Sequence, residues 1–138
     1  MESTRIYEIL RTMSQENVEI VRRIFDAYGR GEEAPELFGS DVIWNPAEEA
    51  ASQGHDALRA SLERWEADFE DYETTPEDFI DAGDKVLVTV HFSGKGKGSG
   101  INVDVVLYEV WALNDGKVVR MDEYTERPAA FEAAGLSE

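Results

Sequence analysis

Apolar residues along the chain recur first at helical spacing and later at alternate positions, and the change of period divides the sequence into elements. From Ser14, a candidate N-cap, to about Arg30, an apolar stripe of Val18, Val21, Ile24, Phe25 and Tyr28 predicts a helix that Gly29 and Gly31 stop. A short helical turn near Pro35–Phe38 leads into an extended Asp41–Asn45, which Pro46 ends. Gly54 opens a second helix, where Leu58, Leu62, Trp65 and Phe69 mark one buried face. The period then falls to two, predicting strands around Tyr72–Asp81 and from Lys85 to Ser93. A hairpin of Ile101–Leu113 and Lys117–Glu126 follows, and Pro128–Gly135 reads as a closing helix with Pro at its start and Gly past its end. Helices first and antiparallel strands afterwards predict an α+β fold with the helices on one face of a curved sheet.

Residues 1–12 are set apart as an N-terminal extension from a single domain at 13–138. Ile6, Ile9 and Leu10 have weak helical spacing, which leaves two readings open: an added helix or an upstream start of translation. The glycine-rich Gly94–Gly100 joins two strands and lacks the spacing that cradles phosphate before a helix, so it reads as a hairpin loop.

The last hairpin carries the candidate chemistry, and its register decides which side chains share a face. A two-residue Asp115-Gly116 loop would set Leu113 opposite Val118, Trp111 opposite Arg120 and Glu109 opposite Asp122, placing charges among large apolar groups. A three-residue loop pairs Trp111 with Val119, Glu109 with Met121 and Leu107 with Glu123. The second is preferred because it gathers Val103, Val105, Leu107, Trp111, Leu113, Val119 and Met121 on one face. Glu109 and Glu123 then become diagonal neighbours on that apolar face, roughly 7–8 Å apart at Cα.

Composition narrows the possibilities further. A formal charge of −17 disfavours nucleic acid and anionic lipid, which are bound through Lys and Arg. With no cysteine, disulfides, thiolate nucleophiles and cysteine-held metals are excluded, and two distant histidines give a metal site little support. No motif implies a cofactor. No apolar run approaches a membrane span and no secretory signal opens the chain, so a cytoplasmic protein is expected.

The texts SQENVEIVRRIFDAYGRG, DVIWNP, GHDALRASLERW, FIDAGDKVLVTVHFSGKGKGSG, YEVWALNDGKVVRMDEYTERP and FEAAGL, in this order, resemble the SnoaL-like branch of the NTF2-like superfamily from about Met13 to the end. The resemblance implies a cone: a bent antiparallel sheet wrapped around helices, with an apolar pocket and often a homodimer through the outer sheet face. It spans polyketide cyclases, ketosteroid isomerases, epoxide hydrolases and dehydratases, as well as members that only bind. Compared with the isomerases, Asn45 before Pro46 stands where the catalytic Asp is expected, and Ile24 stands where the oxyanion-holding Tyr is expected. Glu109 keeps the third carboxyl group. Steroid-type isomerisation is therefore not expected.

A carboxyl group in an apolar pocket has its pKa raised, and a second acid raises it further. At about 7 Å and an effective dielectric of about 20, the repulsion is roughly 2.4 kcal/mol, so one of Glu109 and Glu123 can hold a proton near neutrality. One acid then donates while the other accepts. The alternative is that Glu123 reaches solvent and Glu109 bonds a structural partner such as a tryptophan N–H.

Asn45 is the candidate for orienting a ligand, and Trp44, Trp65, Trp111, Met121, Tyr28 and Phe25 are candidates for lining the pocket or filling the core. His91 is expected on the outer face with Tyr108, Val110, Val118 and Tyr124 as a dimer contact, and His55 as a cap or surface residue. Two functions follow as expectations. One is binding of a small apolar molecule with acid–base chemistry of isomerase, cyclase, dehydratase or hydrolase type. The other is a non-catalytic ligand-binding or dimeric scaffold protein.

Overall fold

The computed structural model describes residues 2–137, with side chains from residue 5 onward. Met1 and Glu138, which bound the two segments expected from the sequence, lie outside the described residues. Helix α1 runs from Glu2 to Gly29 without interruption. Ser14 is therefore an interior helical residue and not an N-cap. Its hydroxyl donates back to the Arg11 carbonyl at 2.9 Å, as serine does within a helix. The first half of α1 exposes Ile6, Ile9, Leu10 and Met13, whereas the second half buries Ile20, Val21, Ile24 and Ala27.

A 3₁₀ turn at Pro35–Leu37 follows, then strand β1 (Phe38–Asn45), the short β2 (Ser52–Gln53) and helix α2 (His55–Asp68). Four strands complete the sheet: β3 (Phe69–Ala82), β4 (Lys85–Gly96), β5 (Asn102–Asn114) and β6 (Lys117–Tyr124). Helix α3 (Arg127–Ala134) closes the order, with Pro128 in its first turn and Gly135 in the left-handed cap that only glycine adopts at little cost. The strand order is β2-β1-β6-β5-β4-β3, antiparallel except where β1 runs parallel to β6. The fold is thus the α+β, cone-like arrangement expected. Irregularities in β1, β3 and β6 bend the sheet, and Pro76 sits beside one of them on the edge strand β3, where its missing N–H is tolerated.

The concave face buries Ile24, Phe38, Val42, Trp44, Val86, Val88, Trp111 and Met121 against α1 and α2. Trp111 is the centre of this packing, with ring centroids 5.5 Å from Trp44, 5.6 Å from Phe25 and 6.3 Å from Phe38. On the convex face, α3 lays Ala130, Phe131 and Ala134 over Leu87 and Val110. The outer patch expected around His91 is corrected by this helix: Val110, Tyr108 and Tyr124 belong to the cluster under α3, and Val118 is buried in the inner core. His91 does lie outward, where Asp104 is its hydrogen-bond partner at 2.6 Å.

The β5–β6 register also differs from the three-residue expectation. Asp115 (φ 51°) and Gly116 (φ 76°) are both left-handed, forming a two-residue turn between the paired Asn114 and Lys117. Leu113 faces Val118, but a bulge then intervenes, so that Ala112 faces Arg120 and Trp111 faces Met121. Val119 is the extra residue and is exposed, not part of the core face. Neither regular register anticipates this combination: the turn chemistry wins at the tip, and apolar packing wins beyond it.

The tight turn yields a stability prediction. Gly116→Val places a β-branched residue at a left-handed position and is expected to lower unfolding free energy by about 1–2 kcal/mol in urea titration. Gly39→Ala is the control, since its added Cβ would meet ordinary contacts of 3.5 and 3.6 Å, and should change stability by less than about 0.5 kcal/mol.

Candidate active site

The bulge sets Glu109 directly opposite Glu123 instead of diagonal to it. Directly opposed residues stand roughly 4.5–5.5 Å apart at Cα. Both side chains enter an open cavity of about 960 Å³ between the sheet, the C-terminal part of α1, α2 and β3. Of the residues singled out from the sequence, Phe25, Tyr28, Trp44, Trp65, Glu109, Trp111, Met121 and Glu123 line this cavity, and Asn45 does not. Alternation along β1 sends Trp44 inward and Asn45 the other way. There the Asn45 amide donates to Asp122 Oδ1 at 2.9 Å.

Glu109 is 8% exposed and accepts a hydrogen bond from the Trp111 indole N–H at 3.2 Å. Burial pushes its pKa well up, a hydrogen bond and the charge of Glu123 push it further, and the indole bond pulls only partly against them. The protonated form of Glu109 is accordingly favoured. Glu123 is fixed from the other side by the Ala47 backbone N–H, which donates to its Oε1 at 3.0 Å.

A third group comes from α1. The Tyr28 phenol is pushed far above its ordinary range by burial first, then by the charges of Glu109 and Glu33, so it remains a neutral hydroxyl. Behind the strand, burial raises Asp122, but hydrogen bonds from Arg120 and Asn45 prevail and hold it below the usual carboxylate value. That chain ties β1 to β6 immediately beside Glu123. His55 plays a comparable structural part, since its Nε2 lies 3.1 Å from the carbonyls of both Phe38 and Gly39 and so joins the start of α2 to β1.

The sequence reading missed the far half of the cavity wall. Tyr72, Thr74, Pro76 and Phe92 line it together with Glu63, Glu66 and Glu73. The available signal was Glu63 and Glu66 on either side of Trp65, two acids one helical turn apart flanking an aromatic ring. Among the described residues no group of three or more His, Asp or Glu is arranged to hold a metal ion, and no helix is long and apolar enough to cross a membrane.

The family model of the SnoaL-like domain matches residues 21–121, most of the chain. No curated protein matches the sequence. Among solved structures, an NTF2-like protein from Burkholderia xenovorans LB400 is similar at 27% identity and TM-score 0.68, over 87% of this chain and 96% of its own. A protein from Jannaschia sp. CCS1 described as a SnoaL-like polyketide cyclase has TM-score 0.72 and 24% identity, over 90% and 94%. The epoxide hydrolase/cyclase-like enzyme SalBIII of pyran ring formation in salinomycin has TM-score 0.69 and 18% identity, over 83% and 93%. At that identity, the last two likenesses concern the fold.

The position of the proton gives a test by stability. Below about pH 4.5 Glu109 is neutral whether the chain is folded or not; from there up to its elevated folded value the unfolded chain gives up the proton while the folded state keeps it, and stability is lost over that range. Glu109→Gln removes that loss. Its melting temperature is expected to match that of the parent near pH 4.5 and to exceed it by several degrees near pH 9, on the order of 1–2 kcal/mol. A difference that is constant across this range would place the proton elsewhere.

Proposed function

Because the chain belongs to the SnoaL-like domain family, we propose that it acts on a small molecule held in its cone by acid–base chemistry between Glu109 and Glu123. The observation that carries this reading is the direct opposition of the two acids on the cavity wall, one of them buried among aromatic rings. Protonated Glu109 donates to an oxygen of the substrate, and Glu123, held by the Ala47 N–H, accepts a proton from carbon, hydroxyl or water. Neutral Tyr28 supplies a second donor to developing negative charge on that oxygen. Trp44, Trp111 and Met121 provide the flat apolar wall that holds the reacting part and keeps water from it.

This division of labour suits isomerisation, cyclisation, dehydration or epoxide opening, each of which needs a proton donor and a proton acceptor within reach of the reacting centre. SalBIII and the Jannaschia protein carry cyclase descriptions on the same fold, which supports the class without naming the substrate. The second reading is a ligand receptor built on the same cavity. It is favoured by the fact that Trp111 and Ala47 already occupy oxygens of both acids. Pairing of two chains through the part of the convex face that α3 leaves open, around His91, Asp104 and Val106, belongs to the same proposal.

The experiment is a turnover screen with neutral enones, epoxides and β-hydroxy carbonyl compounds, followed by the two amide variants on any substrate found. Glu109→Gln and Glu123→Gln are each expected to lower kcat by about 10²–10⁴, with KM changing far less. Rates equal to the parent in both variants would reject acid–base chemistry by this pair. Ligand binding without any turnover would favour the receptor.

A further inference from the structure

One apolar stripe runs the length of α1, but only its second half is covered. Ile6, Ile9, Leu10 and Met13 follow spacings that continue through Asn17, Ile20 and Ile24, so all of them share a face. Ile20 and Ile24 are buried in the inner core, and the Asn17 amide donates to the Gly83 carbonyl at 3.2 Å. A Cβ added at Gly116 would lie 4.0 Å from Ile20 Cδ1. The β3–β4 turn at Gly83 and the β5–β6 turn at Gly116 therefore mark where the sheet ends beneath α1. Beyond them Ile6, Ile9, Leu10 and Met13 are each more than half exposed, with Tyr7 beside them, and they belong to neither core cluster.

The fold restricts what can cover this stripe. Further along the helix the same face looks onto the sheet, so a covering element has to lie at the level of the sheet, just past the two turns. A second α1 running parallel would drive its own domain into that sheet. Running antiparallel about a two-fold axis at Leu10, residues 4–16 of the two helices overlap over about 20 Å, and each overlap ends where the other copy's sheet begins. Leu10 then meets Leu10 of the second copy, and Ile6 meets its Met13. The exposed side chains offer on the order of 500 Å² per copy, about 1,000 Å² in all, which reaches the lower bound for specific association.

Charge fits the same pairing. Arg5 and Glu16 are eleven residues apart, which returns them to within roughly 20° of one another on one flank of the stripe. The antiparallel two-fold brings Arg5 of each copy beside Glu16 of the other. It arrives on the side where Ile20 approaches the β5–β6 turn, whose Asp115 is exposed. Lys85 and Lys117, next to the two turns in sequence, donate instead to the carbonyls of Ala133 and Glu36. From Arg5 to Ser14 the chain carries Arg5 and Arg11 against Glu8 alone. Two chains of formal charge −17 can meet here without the repulsion that their other surfaces would impose.

We infer that the first half of α1 is a self-association surface, on which two copies of the chain cross their helices antiparallel at Leu10. This contact is separate from the pairing around His91 and from the chemistry of the cavity, and it stands or falls without them.

The test is sedimentation velocity of the full chain from about 1 to 100 µM. Leu10→Glu sets two like charges against each other at the crossing and is expected to halve the mass found for the parent at the upper end of that range. Unchanged tryptophan indole N–H signals would show that the variant is folded. Arg5→Glu and Glu16→Arg should each weaken association about three- to tenfold, and the double reversal, with the parent's net charge, should return to within about twofold of the parent. Because the chain has no cysteine, Leu10→Cys reports on the crossing directly: it should give a disulfide-linked pair on air oxidation, whereas Gln15→Cys, on the opposite face of the helix, should not. A monomeric parent, or a double reversal that fails to recover, would overturn the contact. A mass that persists in Leu10→Glu would also overturn it and assign association to the convex face.

Discussion

The β5–β6 pairing is the constraint on which the concave face depends. A two-residue turn at Asp115-Gly116 would by itself have carried Trp111 opposite Arg120, burying a guanidinium next to the largest ring in the core. Leaving Val119 unpaired at the bulge moves every later residue by one position. Trp111 then meets Met121 and Arg120 is turned outward to Asp122, at the cost of one exposed valine and one break in the ladder. Since Trp111 contacts Phe25, Phe38 and Trp44, the same slip that preserves its burial also fixes where α1 and β1 pack. A side chain of that size, fully buried, typically carries about 3–5 kcal/mol against truncation.

The position of the two acids is a consequence of that choice and not an independent feature. With Trp111 on Met121, alternation puts Glu109 on Glu123, and a like-charged pair directly across a ladder is unfavourable if both are ionised. The fold offsets this locally. One acid keeps its proton, the indole of Trp111 donates to it, and the Ala47 backbone satisfies the other. The donors therefore come from the same elements that the bulge brings together, so the site is built into the core packing.

Much of this was legible in the sequence because apolar period is a local property. The stripe on α1, the alternation of β4 and the Pro and Gly that frame α3 each follow from residues within one element, and the structure has them; of the face expected on α2, Leu58 is buried, Leu62 and Trp65 are half-buried and Phe69 already opens β3. Glu109 was legible for the same reason, being the one charge at an inward position of β5. The extent of α1 was not, since nothing in Ser14 itself distinguishes a cap from an interior hydroxyl bonding back along the helix. The bulge at Val119 was hidden because it resolves a competition between turn chemistry and packing across two strands, whereas each regular register satisfies only one of them. Asn45 illustrates the limit of reading a role from a position: one residue along β1 separates the cavity wall from the Arg120–Asp122 chain.

The distribution of acidic residues gains its meaning only from the topology. In the sequence, Glu63 and Glu66 look like part of a solvated surface, and 30 acidic residues against 13 basic ones invite that reading for all of them. Placing α2 beside β3 and β4 brings these two acids to the cavity wall, near Trp65 and Tyr72. Their mutual repulsion is a standing cost to the folded state that hydrophobic burial elsewhere has to exceed.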